Sequence, residues 1–177
     1  KYFTYFKKKI VLYFHNDPLS MKDSTSIAER EFILNFCNKI IFNSEWTKKR
    51  FFQDINKFYQ NSEKIEVICQ STNKTKVDIT KKEKIITFVG KLNKSKGYDL
   101  FGEAVIKILN EFKDWKVLVF GDEPREHISF NHERFIKKGY QPNSVVLQNL
   151  KKASIAIACS MWDEPFGRSS LEASSRG

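Results

Sequence analysis

Ile85-Ile86-Thr87-Phe88-Val89-Gly90-Lys91-Leu92-Asn93-Lys94-Ser95-Lys96-Gly97-Tyr98 is the stretch from which the fold is read. Its first five residues form a short, nearly continuous apolar run of strand length, the mark of a strand buried on both faces. Two glycines then bracket a loop holding three lysines, and from Tyr98 to Phe112 apolar residues recur at helical spacing. Strand, loop and helix in that order make one β-α unit of a parallel sheet.

The same order recurs on both sides. Downstream, the pattern predicts a strand over 116–120, strand-like residues near Phe135, a helix over 142–152, a strand over 155–159 and a last helix from about Gly167. Upstream, it predicts a strand over 10–14 and an amphipathic helix over 24–38, carrying Ile27, Ile33, Leu34 and Cys37. A strand over 39–42, a helix capped by Ser44 and a strand over 64–69 follow. Between the two series lies a polar Lys/Thr-rich stretch with little to bury. The expected organisation is therefore α/β with two Rossmann-like domains, each built on a parallel sheet covered on both faces. Residues 1–70 are read as the C-terminal part of a first domain, 71–84 as an interdomain linker, and 85–177 as the first part of a second domain. Both domains are expected to be truncated, since the chain starts near a strand and stops just after a helix.

Composition excludes several classes. Sixteen Phe and 41% hydrophobic residues argue against disorder, and seven Gly with four Pro exclude collagen-like or linker material. The longest apolar runs are strand-length, far short of the roughly 20 residues that span a bilayer. No signal peptide is visible in a chain that begins at Lys1. Cys37, Cys69 and Cys159 are odd in number and far apart, so neither a disulfide framework nor a metal spacing can be built from them, and a reducing cytosol fits best. The net charge of +10 is spread evenly, +5 in residues 1–80 and +5 in 81–177, and only six basic residues are Arg. A solvated Lys-rich surface explains most of it, with attraction to anionic headgroups or to a phosphorylated substrate next. Nucleic acid ranks last, because base recognition leans on Arg.

Chemistry is sought at the carboxyl ends of the strands, where open α/β sheets bind their ligands. The 90–97 loop offers flexible glycines, cations and a following helix N-terminus, a combination suited to phosphate. It is not a P-loop, and no Gly-x-Gly-x-x-Gly occurs in the chain, which counts against a dinucleotide dehydrogenase. After the strand over 155–159 the chain reads Glu164-Pro165-Phe166-Gly167-Arg168-Ser169-Ser170-Leu171-Glu172. Spacing alone means nothing, since Glu103 and Glu111 are also eight apart inside an amphipathic helix. Context separates the two pairs. Glu164 falls in a loop at a strand end, Pro165 precedes a helix whose first free amides are those of Phe166, Gly167 and Arg168, and Glu172 sits more than a turn further in. A rise of 1.5 Å per residue sets the carboxylates about 10 Å apart across an amide-lined anion site. A ligand with hydroxyls at both ends and phosphates in the middle fits that span, and a nucleotide sugar is one.

These two motifs resemble a known family, the retaining GT-B glycosyltransferases of the glycosyltransferase group 1 (GT4) type. Gly90-Lys91-x4-Lys96-Gly97 is similar to the family's Gly-Arg-x4-Lys-Gly loop. Glu164-Pro-Phe-Gly-x4-Glu172 is similar to its Glu-x7-Glu signature, preceded here by Cys159-Ser160. The resemblance covers most of 84–177 and, more loosely, 10–56. It implies that Lys91 and Lys96 hold the donor diphosphate, with Gly90 in the same loop, and stabilise charge as the glycosidic bond breaks. Glu164 would bond the donor sugar beside the amides of Phe166 and Gly167, with Arg168 next in the chain, and Glu172 would accept from the ribose hydroxyls. Gly139 and Tyr140 would meet the base, and His15, after its strand, would face the donor sugar.

Three features depart from the family pattern. Lys91 stands where Arg is usual, which keeps the charge but loses bidentate contact. Gly121-Asp122-Glu123 replaces the commoner Gly-x-Gly, and the upstream half of the acceptor domain is missing. His127 and His132 lie in a polar stretch and read as exposed, and Ser44 with Lys48, Lys49 and Arg50 reads as a capped surface helix. No Asp-x-Asp and no His/Asp/Glu cluster at ligand spacing occurs, so no metal and no cofactor is expected. The expectation is a hexosyltransferase-type enzyme that moves a sugar from a nucleoside-diphosphate donor, with retention, to a glycan or lipid-linked acceptor. It is set in cell-envelope glycan biosynthesis, in the cytoplasm or peripherally on the cytoplasmic face of an anionic membrane, although the fragment alone is expected to be inactive. The rival readings are a phosphorylase or synthase sharing the fold, and a non-catalytic basic module for RNA or anionic membrane.

Overall fold

The computed structural model describes residues 9–55 and 62–177; residues 1–8 and 56–61, within the range expected for the first domain, lie outside the described residues. Contacts divide the chain into two units. One is Lys1–Gln70 with Glu164–Phe166, the other Ser71–Asp163 with Gly167–Gly177.

In the second unit, β4 (Glu83–Val89) and β5 (Lys116–Phe120) are the central strands of a four-stranded sheet. With β6 (Phe135–Lys137) and β7 (Ala153–Ile157), the order is β6-β5-β4-β7 and every pairing is parallel. Successive side chains leave a strand on opposite faces, and here both faces are covered. Ile86, Phe88, Val117 and Val119 pack with Tyr98, Phe101, Val105 and Leu109 of α3 (Tyr98–Glu111). Ile85, Leu118 and Phe120 pack with Val146 and Leu150 of α4 (Asn143–Lys152). That double burial is why both strands read as apolar runs. Leu109 is fully buried, so Leu109→Ala costs about 2–5 kcal/mol.

Two strands of this sheet begin earlier than the sequence predicts. β4 starts at Glu83, two residues before the apolar run, because Glu83 already pairs with Ala153 of β7. β7 itself covers Ala153–Ile157 rather than 155–159, since α4 ends at Lys152 and the chain passes directly into the strand. Residues 71–82 group with the second unit. A short 3-10 turn, Ile79–Lys81, is capped by Asp78, while Arg176 donates to the Asn73 carbonyl (2.6 Å) and Lys82 Nζ to that of Ala153 (2.8 Å).

In the first unit, β1 (Val11–Phe14), β2 (Lys39–Phe42) and β3 (Ile65–Val67) form a parallel sheet in that order. α1 (Ile27–Phe36) begins at a capping box, in which Ser26 Oγ accepts from the Glu29 amide and Glu29 accepts from the Ser26 amide. The cap is thus Ser26, and Ser24 instead bonds the Pro18 carbonyl (2.6 Å). α2 (Glu45–Phe51) is capped by Ser44, whose Oγ accepts from the Thr47 amide (3.1 Å). Phe14, Leu34, Ile40, Phe42 and Phe51 fill the core, with the Phe14 and Phe42 rings stacked 5.5 Å apart. Arg30, only 2% exposed, donates to the carbonyls of Phe51 and Gln53, the latter at 2.8 Å.

Candidate functional site

β4 and β5 end side by side at Val89 and Phe120, and each is followed by a glycine. The Gly90 amide donates to the Phe120 carbonyl (3.0 Å), and the Gly121 amide to that of Gly139 (2.9 Å). Gly121 takes φ 131°, a conformation open to glycine alone in practice. Above these turns lies a cavity of about 440 Å³. Gly90 and Lys91 line it from β4, Gly121 and Asp122 from β5, and Tyr140, Gln141 and Asn143 from the entry to α4. Arg168 and Glu172 close it from α5 (Arg168–Ser174), which starts after Gly167 at φ 75°.

Glu172 is 6% exposed, yet it lines the cavity. Its Oε1 accepts from Asn143 Nδ2 and from Arg168 Nε, both at 3.0 Å. Among the described residues, Oε2 takes no hydrogen bond. Lys91 is exposed and has no carboxylate partner among them. The cavity therefore combines a cation for phosphate with a fixed, buried carboxylate that has one oxygen left for hydroxyl donors.

The loop that carries the other lysines is tightly tied. Asn93 Oδ1 accepts from the Lys96 amide (3.0 Å) and from Ser95 Oγ (3.1 Å), capping the 3-10 turn Lys94–Lys96. The Lys94 amide donates to Glu126 Oε2 (3.1 Å). With those amides engaged, the turn offers side-chain charge rather than a nest of free N–H groups. Gly97, at φ 67°, passes so near Cys159 that a Cβ would stand 2.0 Å from its carbonyl oxygen. Lys96 Nζ lies 4.9 Å from the centre of the Trp162 ring. Glu123 hydrogen-bonds the Arg125 guanidinium at 2.7 and 2.9 Å, which holds its carboxyl down at about 2. Burial pushes the Cys159 thiol up.

Of the residues expected at a site, Gly90, Lys91, Tyr140, Arg168 and Glu172 share this cavity. Lys96, Gly139 and Gly167 belong to the same unit but do not line it, and the Gly139 carbonyl is taken by Gly121. The helix starts at Arg168, so Phe166 and Gly167 precede it, the Arg168 amide is in its first turn, and the Arg168 side chain reaches back to Glu172. Glu164, Phe166 and His15 group with the first unit. There His15 Nδ1 lies 2.9 Å from Gln70 Nε2, the His15 carbonyl accepts from Asn43 Nδ2 (3.0 Å), and Ser44 Oγ donates to the Pro165 carbonyl (2.5 Å). Asp122, Gln141 and Asn143 were missed, although their places at strand ends and helix entries were a usable signal. Among the described residues no three His, Cys, Asp or Glu side chains converge as a metal-binding group, and no helix is long and apolar enough to cross a membrane.

Comparison with known proteins bears on this site. No curated protein matches the chain. Solved structures with the same fold include Anabaena Alr3699/HepE in complex with UDP-glucose, 17% identical over 96% of this chain and 52% of that one, TM-score 0.70. Another is TarM, 16% identical over 95% of this chain and 35% of that one, TM-score 0.62. A third is the pneumococcal O-GlcNAc transferase GtfA in complex with UDP and GlcNAc, 13% identical over 95% and 36%, TM-score 0.64. The chain thus spans about half the length of the first and about a third of the other two. At these identities the likeness shows the fold, the α/β GT-B type with parallel sheets. A family model, glycosyl transferases group 1, matches residues 69–177, the portion that contains the cavity and both motifs, and the chain belongs to that family.

Proposed function

We propose that this chain carries the donor site of a glycosyltransferase that moves a hexosyl group from a nucleoside-diphosphate sugar to a glycan or lipid-linked acceptor with retention of configuration. One observation carries the reading: a single cavity at the strand ends joins Lys91, which has no carboxylate partner among the described residues, to Glu172, whose Oε2 takes no hydrogen bond among them. Lys91, with Lys96 from the same loop, takes the diphosphate and stabilises the charge that builds on it as the glycosidic bond breaks. Glu172 accepts from the ribose hydroxyls, and Tyr140, with the Gly139 turn, faces the base. Glu164, Phe166, Gly167 and His15 are assigned to the donor sugar. The departing phosphate assists deprotonation of the acceptor, so the reading calls on no metal or cofactor. The neighbours solved with UDP, UDP-glucose or GlcNAc support a nucleotide-sugar donor. Three free thiols and a net charge of +10 support a cytoplasmic setting beside an anionic surface.

The experiment is a thermal-stability screen with UDP, GDP, ADP and their sugars, with Lys91→Ala, Lys96→Ala and Glu172→Ala alongside. A shift for one nucleotide, lost in all three variants, supports the site and names the base. A shift with sugar phosphates alone turns the reading to a phosphorylase or synthase. Binding to RNA or anionic vesicles, with no response to any nucleotide, overturns it.

A further inference from the structure

Position 123 is glutamate where the family's Gly-x-Gly pattern has glycine, and this carboxylate does not line the cavity. Its side chain is 3% exposed and fully engaged. Oε1 accepts from Arg125 Nε (2.7 Å), and Oε2 accepts from Arg125 Nη2 (2.9 Å) and from Asn93 Nδ2 (3.3 Å). Asn93 is itself buried, and its other amide atom, Oδ1, caps the turn that carries Lys96. Glu123 thus fixes which way the Asn93 amide faces: nitrogen toward the carboxylate, oxygen toward the Lys96 amide.

A second strut runs parallel to the first. Glu126, from the same loop, accepts from the Lys94 amide, and the Leu92 amide donates to the Asp122 carbonyl (3.4 Å). The loop after β5 therefore holds the lysine loop after β4 at three successive points.

We propose that Glu123 is a positioning residue for the donor-diphosphate lysines, setting the 94–96 turn through Asn93. This rests on the donor reading above. Glu123 touches no substrate in this scheme. It presets the backbone from which Lys96 extends, so that less ordering is left for ligand binding to complete. It also brings negative charge near a phosphate site, and the Arg125 guanidinium offsets that charge at the carboxylate itself.

The test compares the native chain with Glu123→Ala, Glu123→Gln and Lys96→Ala. Binding is measured for UDP, GDP and ADP and for the matching nucleosides, with amide hydrogen exchange at 95–97 read without ligand. In Glu123→Ala, exchange at 95–97 rises about tenfold or more and diphosphate binding weakens about tenfold, while nucleoside binding is unchanged. Glu123→Gln, which keeps an acceptor for Asn93, retains most of both. Asn93→Ser keeps an oxygen for the cap but loses the reach to Glu123, and it reproduces the Glu123→Ala pattern if that variant does not fold. Unchanged exchange in folded Glu123→Ala, or equal losses for nucleoside and diphosphate, overturns the proposal. A native chain that binds no nucleotide overturns the donor reading and the positioning role with it. Faster exchange in Glu123→Ala would then mark a brace of structural value only, so the two failures are distinguishable.

Discussion

A Cβ on Gly121 would stand 1.9 Å from the carbonyl oxygen of Gly90. The two turns that floor the cavity are therefore in contact through bare backbone, and no rotamer change can relieve a side chain placed between them. Gly121→Ala also forces φ 131° on a residue with a Cβ. We expect a loss of about 3 kcal/mol or more in denaturant unfolding, with nucleotide binding lost in whatever remains folded. Gly139→Ala is the control. It shares a positive φ, 67°, but has nothing within 4 Å, so only the strain of about 1 kcal/mol remains.

Much of this arrangement was legible in the sequence, for reasons that particular residues make plain. β4 and β5 were readable because helices cover both their faces, which forces continuous apolar runs. β7 was displaced by two residues because Ser154, Ile155 and Ala156 are exposed and carry no burial pattern. Ser44 was readable as a cap from its type and place, whereas Ser24 and Ser26 are equally good candidates until Glu29 is seen to answer Ser26. The tie from Asn143 to Glu172 was not readable, since it joins residues 29 apart through the packing of α4 on α5. Glu123 read only as a departure, because its value lies in Asn93, thirty positions away.

Asn143 holds Glu172 from the α4 side and Arg168 holds it from its own helix. Asn143→Ala removes a neutral donor from a nearly buried carboxylate, a loss of about 1–2 kcal/mol. The freed carboxylate then turns toward Arg168 and away from the cavity. Isothermal calorimetry should show roughly tenfold weaker nucleoside binding, with the thermal midpoint falling by a few degrees. Undiminished nucleoside binding would remove Glu172 from the ribose role.

Arg30 makes the opposite prediction. Its guanidinium is buried against the carbonyls of Ser26, Phe51 and Gln53, and it lines no described cavity. Burial lowers its affinity for the proton, but three carbonyl acceptors keep the charge satisfied. Arg30→Met leaves those carbonyls without a donor and costs about 3 kcal/mol. Chemical denaturation should register the loss, and nucleotide binding to the folded fraction should be unaltered.

Acid provides the last test, because the Arg125 guanidinium beside Glu123 holds its carboxyl at about 2, against an ordinary 4.5. A carboxyl whose folded value is depressed adds stability that is fully present above the unfolded value and is lost as pH falls through the folded one. The window is therefore about pH 4.5 down to 2. Other carboxylates titrate in the same range, so the informative quantity is the difference between the native chain and Glu123→Gln. Urea midpoints measured from about pH 6 to 2 should lie furthest apart at the upper end and converge toward the lower. A protonated carboxyl, like the Gln amide, still offers Asn93 a carbonyl oxygen, so hydrogen exchange at 95–97, corrected for its intrinsic pH dependence, should stay nearly level across the window in both proteins. Parallel midpoint curves for the two proteins would mean that the Glu123 charge contributes nothing to stability.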